Sequence, residues 1–116
     1  MNIEELRNYC LSKKNVTEHF PFDEVTLVFK VVGKMFALIP TDETELSINL
    51  KCNPEYAVEL RAKYKEICSG YHMNKKHWNT VYCKGKITNE LLKKLVDHSY
   101  DLVIESLPKK VRETFF

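Results

Sequence analysis

Residues 70 to 83 read GYHMNKKHWNTVYC and gather two histidines, two lysines, a tryptophan and two tyrosines with no acid among them. Side chains of these types can ligate a metal, serve as nucleophile and base, or grip a polyanion. For a metal the set is Cys68, His72, His77 and Cys83, in the pattern C-x3-H-x4-H-x5-C. Structural zinc draws four ligands into a tetrahedron, usually in pairs from tight turns separated by a longer loop. Here two ligands fall on a loop and two along a strand, so neither a metal nor another cofactor is expected. For covalent catalysis a nucleophile must meet a base and an orienting group. The chain has no G-x-S-x-G elbow, no glycine-rich phosphate loop, no H-E-x-x-H pair, and three glycines in all. It does not read as an enzyme.

A polyanion is the better match. No acid occurs between Glu66 and Glu90, while Lys75, Lys76, Lys84 and Lys86 fall there with His72 and His77. Lysines neutralise phosphates and release counterions, and tyrosine, histidine or tryptophan can stack on bases. Residues 1–50 carry five Lys/Arg against eight Asp/Glu, and residues 51–116 carry thirteen against eight, so the net charge of +2 conceals a basic second half. The competing reading is a strand with a solvated turn, in which Trp78 anchors the core and Lys75 and Lys76 face water.

The elements that must hold these residues follow from periodicity and punctuation. Asn2 and Glu5 match a capping box before a helix whose stripe is Ile3, Leu6 and Cys10, ending near Lys13 or Lys14. NVTEHFPFDEV reads as a loop, with Phe20 and Phe22 tucked onto the core and Pro21 forbidding a central strand. TLVFKVV and MFALIP flank a Gly33-Lys34 turn and read as a hairpin, and LSINLK alternates as a third strand of the same meander. Asn53-Pro54-Glu55 starts a second helix with stripe Ala57, Leu60, Tyr64 and Ile67 and an exit at Gly70. HWNTVYC has strand composition; parity puts Val81 and Cys83 toward the core and Trp78, Thr80 and Tyr82 away from it. Thr88 caps a last long helix that runs to Pro108, followed by a short basic tail.

The order α-βββ-α-β(β)-α predicts an α+β fold: two layers, an antiparallel sheet of four to five strands with helices packed on one face. With 116 residues, 44% hydrophobic and 29% charged, one domain spanning 1–116 is expected. The longest apolar run is Met35–Pro40, far below the roughly 20 residues of a membrane span. The first ten residues carry two glutamates rather than a basic secretory leader. A cytoplasmic monomer without membrane association is expected, its four cysteines serving as small buried apolar residues.

GYHMNKKHWNTVY, together with EHFPFDEVTLVFKVVGKMFALI, SINLKC and LVDHSYDLVIESLPKK, closely resembles the YjbR/MmcQ family of small bacterial proteins, over nearly the whole chain and in the same order. The resemblance implies a compact α+β domain likened to frataxin and to secretion chaperones, with the double-wing feature behind the family's DNA-binding label. It also implies that His72, Asn74, Lys75, Lys76, His77, Trp78, Asn79 and Thr80 lie in the family's motif, with His98, Ser99 and Tyr100 in its helical one. The resulting expectation is a non-enzymatic DNA-binding module using a basic and aromatic surface around residues 71–86. Its contacts are Lys75, Lys76, His77, Trp78, Asn79, Tyr82, Lys84 and Lys86, with the four lysines on phosphates and Trp78 or Tyr82 on bases. The alternative is a protein-interaction or chaperone-like module that offers its sheet face to a protein partner. A metal binder in the frataxin manner would want a dense acidic ridge that the first helix lacks.

Overall fold

The computed structural model describes residues 1–70 and 73–116. The chain runs α1 (Ile3–Leu11), β1 (Val16–His19), β2 (Thr26–Val31), β3 (Lys34–Pro40), β4 (Ser47–Lys51), α2 (Pro54–Lys63), β5 (Ile67–Ser69), β6 (Trp78–Tyr82), α3 (Asn89–Ser106) and α4 (Lys109–Phe115). Among the described residues the fold is α+β, with one open antiparallel sheet of six strands in the order β1-β2-β3-β4-β6-β5. The four to five strands expected are therefore six, because two short edge strands escape the periodicity. Val16–His19, expected as part of a loop, pairs with β2 as an edge strand and stops before Pro21, in keeping with a proline that excludes a central strand. Ile67 belongs to β5, not to the stripe of α2. That helix ends at Lys63, where Tyr64 turns extended (φ -120°, ψ 119°), and Gly70 follows β5 instead of closing the helix.

The helix starts form where sequence chemistry places them. Asn2 and Glu5 make the reciprocal capping box, Asn53 accepts from the amides of Glu55 and Tyr56, and Thr88 accepts from Leu91. The hairpin turn lies one residue earlier than expected. Val32 (φ 47°) and Gly33 (φ 80°) occupy its centre, the paired positive φ of a type I′ turn, unusual for a β-branched residue.

The main core lies between one sheet face and the helices, where Leu27, Phe29, Ile39, Ile48 and Val81 meet Leu6, Ala57, Leu92 and Val96. Between β2 and β3 the register shifts after Phe29, leaving Phe36 without a partner across the ladder. Its carbonyl is taken by α3: Ser99 Oγ donates to Phe36 O at 2.5 Å and accepts the Lys51 amide at 2.9 Å. One buried hydroxyl thus joins β3 to β4, whose own ladder is two residue pairs long. Phe20 and Phe22 do not tuck inward; they are 53% and 64% exposed.

Among the described residues the opposite sheet face carries no helix, but it is not uniformly wet. Val28, Leu38 and Trp78 form a second buried cluster there, with Met35 and Met73 packed at its margin. This explains why β2 and β3 read as continuous apolar runs rather than clean alternation.

Candidate functional site

The four lysines do not converge. Lys75 and Lys76 sit in the turn before β6, and Lys84 and Lys86 follow its far end. Five residues at roughly 3.3 Å each put about 16 Å of strand between the pairs. Their surroundings differ as well. Lys84 forms an ion pair with Glu45 at 2.7 Å, and the Lys86 amide donates to buried Glu66 at 2.9 Å. Backbone donation, first from Lys86, holds the Glu66 carboxyl below its ordinary range, so this acid anchors the turn as an anion. Lys75 and Lys76 are exposed and, among the described residues, in no ion pair.

Parity along β6 holds, but its consequence for exposure does not. Trp78 lies on the helix-free face, yet it is only 8% exposed because Val28 and Leu38 pack against it, so its ring is no open stacking platform. Asn79 points the other way and is buried; its Oδ1 accepts from Arg61 of α2 at 2.7 Å, which corrects its expected surface role. His77 is half-buried and its carbonyl accepts the Cys52 amide. Of the expected aromatic contacts, Tyr82 is half-buried and reachable. The helical motif braces the core: His98 Nε2 accepts the Asn53 amide at 3.1 Å, and Tyr100 Oη donates to Lys14 O at 2.5 Å.

The helix-free face instead contains a groove of about 720 Å³ that runs past Tyr82. Val25, Leu38, Pro40 and Met73 form its apolar part, and Ser47, Asn49 and Thr80 supply polar groups from β4 and β6. Ser47 is 2% exposed, makes no side-chain hydrogen bond among the described residues, and lies in register opposite Tyr82. Asn49 Oδ1 accepts from Thr80 Oγ1, which leaves the Asn49 amide hydrogens without a partner among the described residues. Asp23, Asp42, Glu43 and exposed Phe22 stand along one lip.

That lip is built by pairing. The Thr26↔Pro40 register at the end of the hairpin sets the loop before β2 against the loop after β3. Thr41 then ties them together, its amide and hydroxyl donating to Val25 O at 2.8 and 2.7 Å. Asp23, Glu24, Asp42, Glu43 and Glu45 fall in these loops with no lysine or arginine. Asp23 caps its own loop, accepting the Thr26 and Val25 amides at 2.6 and 3.0 Å, and these donors hold its carboxyl below the ordinary range. Sequence reading passed over these residues, although two acidic loops flanking one hairpin are bound to adjoin.

Nucleophilic chemistry finds little support. Burial pushes the thiols of Cys10 up to about 12 and of Cys52 and Cys83 up to about 11, so they are protonated at neutral pH. Cys68 is exposed rather than buried, on edge strand β5. His77 and Cys83 lie beyond opposite ends of β6, and His72 is outside the described residues. No group of three or more metal-ligating side chains occurs among the described residues, and no helix there is long and apolar enough to cross a membrane.

Comparison with known proteins agrees with the fold and the motif order. The YjbR family model matches residues 11–102. The uncharacterized protein YjbR of Escherichia coli (strain K12) is 33% identical over 113 residues, covering 97% of this chain and 96% of that one. The uncharacterized protein YbdF of Escherichia coli O157:H7 is 40% identical over 91 residues, covering 78% and 75%. A crystal structure of Deinococcus radiodurans protein DR2400, family-model domain DUF419, superposes with a TM-score of 0.93 at 39% identity, covering 98% of this chain and 87% of that one.

Proposed function

This chain belongs to the YjbR family, and we propose that it is a non-enzymatic protein-interaction module that docks a polypeptide segment on the helix-free face of its sheet. The observation that carries this reading is the groove beside Tyr82, where polar groups of Ser47 and Asn49 that have no partner among the described residues lie next to apolar Leu38, Val25 and Met73. A largely apolar concavity with a few convergent polar groups is the usual form of a binding site. An extended peptide offers what those groups lack, a carbonyl every residue, together with side chains for the apolar floor.

A second reading, DNA binding, draws on Lys75 and Lys76, which stand adjacent and free of ion pairs among the described residues. Two phosphate contacts would give a slope of log K against log salt of about -1.8. The acidic lip would confine a nucleic acid to the side of the turn.

The two readings separate in one NMR experiment. Isotopically labelled protein is titrated with a pool of unstructured dodecapeptides and, separately, with a duplex oligonucleotide at low salt. Peptide docking moves the amides of Asn49, Thr80 and Tyr82. DNA binding moves those of Lys75 and Lys76 and leaves the groove still. A peptide pool that shifts none of the groove amides would sink the docking proposal.

A further inference from the structure

The geometry points to a specific class of occupant: an extended segment in which lysine or arginine alternates with large apolar residues. This inference rests on the docking reading above and adds the partner's chemistry. The groove is electrostatically one-sided. Asp23, Asp42 and Glu43 line its lip, Glu24 and Glu45 lie in the same two loops, and no lysine or arginine is among the described residues that line it. Thr41 fixes the two loops to one another, so this negative field belongs to the hairpin end. Asp23 stays ionised because backbone amides donate to it.

The lip alone would attract any cation; the floor narrows the choice to a chain. Ser47 presents a hydroxyl on a residue that is 98% buried, and Asn49 presents two amide hydrogens, both without partners among the described residues. These donors sit at successive same-face positions of β4, about 6.6 Å apart at roughly 3.3 Å per residue. Carbonyls that share one side of an extended peptide repeat at the same interval, so a segment aligned with β4 can meet both donors. Alternate side chains of that segment then point down onto Leu38, Val25 and Met73, and the intervening ones reach the lip. Exposed Phe22, at 64%, is placed at the lip to receive the stem or the charge of a basic side chain.

The test uses three fluorescein-labelled nonapeptides with one alternating leucine frame and lysine, serine or glutamate at the intervening positions. Binding is read by polarisation, with the Trp78 emission as a second signal from the same face. The lysine peptide is expected to bind at least about tenfold more tightly than the glutamate peptide, with the serine peptide between. Replacing Asp42→Asn and Glu43→Gln together should remove most of that preference, because both are exposed loop residues whose loss leaves the fold intact. Raising salt should compress it in the same way. Equal binding of all three peptides would overturn the basic-segment inference and leave peptide docking standing. Binding of none would overturn both. A lysine preference that survives D42N/E43Q and disappears in Lys75→Glu plus Lys76→Glu would also overturn it, because the cation would then be recognised elsewhere.

Discussion

The amide of Gly70 donates to the carbonyl of Trp78 at 2.8 Å, and a Cβ built on Gly70 would stand 2.8 Å from the Cβ of Trp78. The chain closes so tightly on β6 at this point that only a hydrogen fits. Gly70→Ala must push two backbones apart, at a cost of about 1–3 kcal/mol. A urea melt should show the midpoint falling with an unchanged slope, and an unaltered midpoint would mean that the contact relaxes freely.

Trp78 is the chain's single tryptophan, which makes its surroundings directly readable. Its packing against Val28 and Leu38 predicts an emission maximum well to the blue of the free indole. Trp78→Ala should cost about 3 kcal/mol or more, with Trp78→Phe milder. A solvent-like emission spectrum would contradict the second cluster.

Ser99 tests the bridge between β3 and β4. In Ser99→Ala the Lys51 amide and the Phe36 carbonyl both lose their partner, the latter inside the core. An unsatisfied buried polar group costs about 1–3 kcal/mol, so the variant should lose at least that much. Hydrogen exchange at Lys51 should accelerate more than at Ile48, and uniform acceleration would argue against a local bridge.

His98 gives the fold a pH dependence of known sign. Burial lowers its pKa, with Asp101 and Glu105 partly opposing, and its Nε2 accepts the Asn53 amide at the start of α2. A depressed histidine pKa means that the unfolded chain takes up the proton first. Stability is therefore complete above the unfolded pKa of about 6.5 and declines as pH falls from there toward the folded value. Urea midpoints at pH 7.5 and 5.5 should differ more in the wild type than in His98→Gln, which keeps an acceptor but does not titrate. Equal differences in the two proteins would remove His98 as the cause.

Phe20 and Phe22 separate stability from binding. Both are more than half exposed, so Phe20→Ser and Phe22→Ser should shift stability by no more than about 0.5 kcal/mol. The second should still weaken the lysine peptide severalfold. Loss of stability on Phe22→Ser would mean that the ring packs inward after all.

Local chemistry settled much of this protein before any coordinates. Asn2, Asn53 and Thr88 declare helix starts because capping involves only residues a turn apart. The strands around Phe29, Ile39, Ile48 and Val81 show in their β-rich composition, and the family shows in the order of the motifs. Short edge strands do not declare themselves. Val16–His19 and Ile67–Ser69 are strands because β2 and β6 offer them a ladder, and three or four residues are too few to carry a period of their own. The acid-free stretch is equally instructive. Proximity in sequence suggested one cationic surface, but a strand separates its own ends, so β6 holds Lys75 and Lys76 away from Lys84 and Lys86. The converse happened to the acids, where Asp23 and Asp42 lie nineteen residues apart and meet because an antiparallel hairpin returns its second strand to the start of its first. Sequence decides what each residue prefers locally; which charges share a surface depends on chain reversal, a long-range property that only the paired sheet determines.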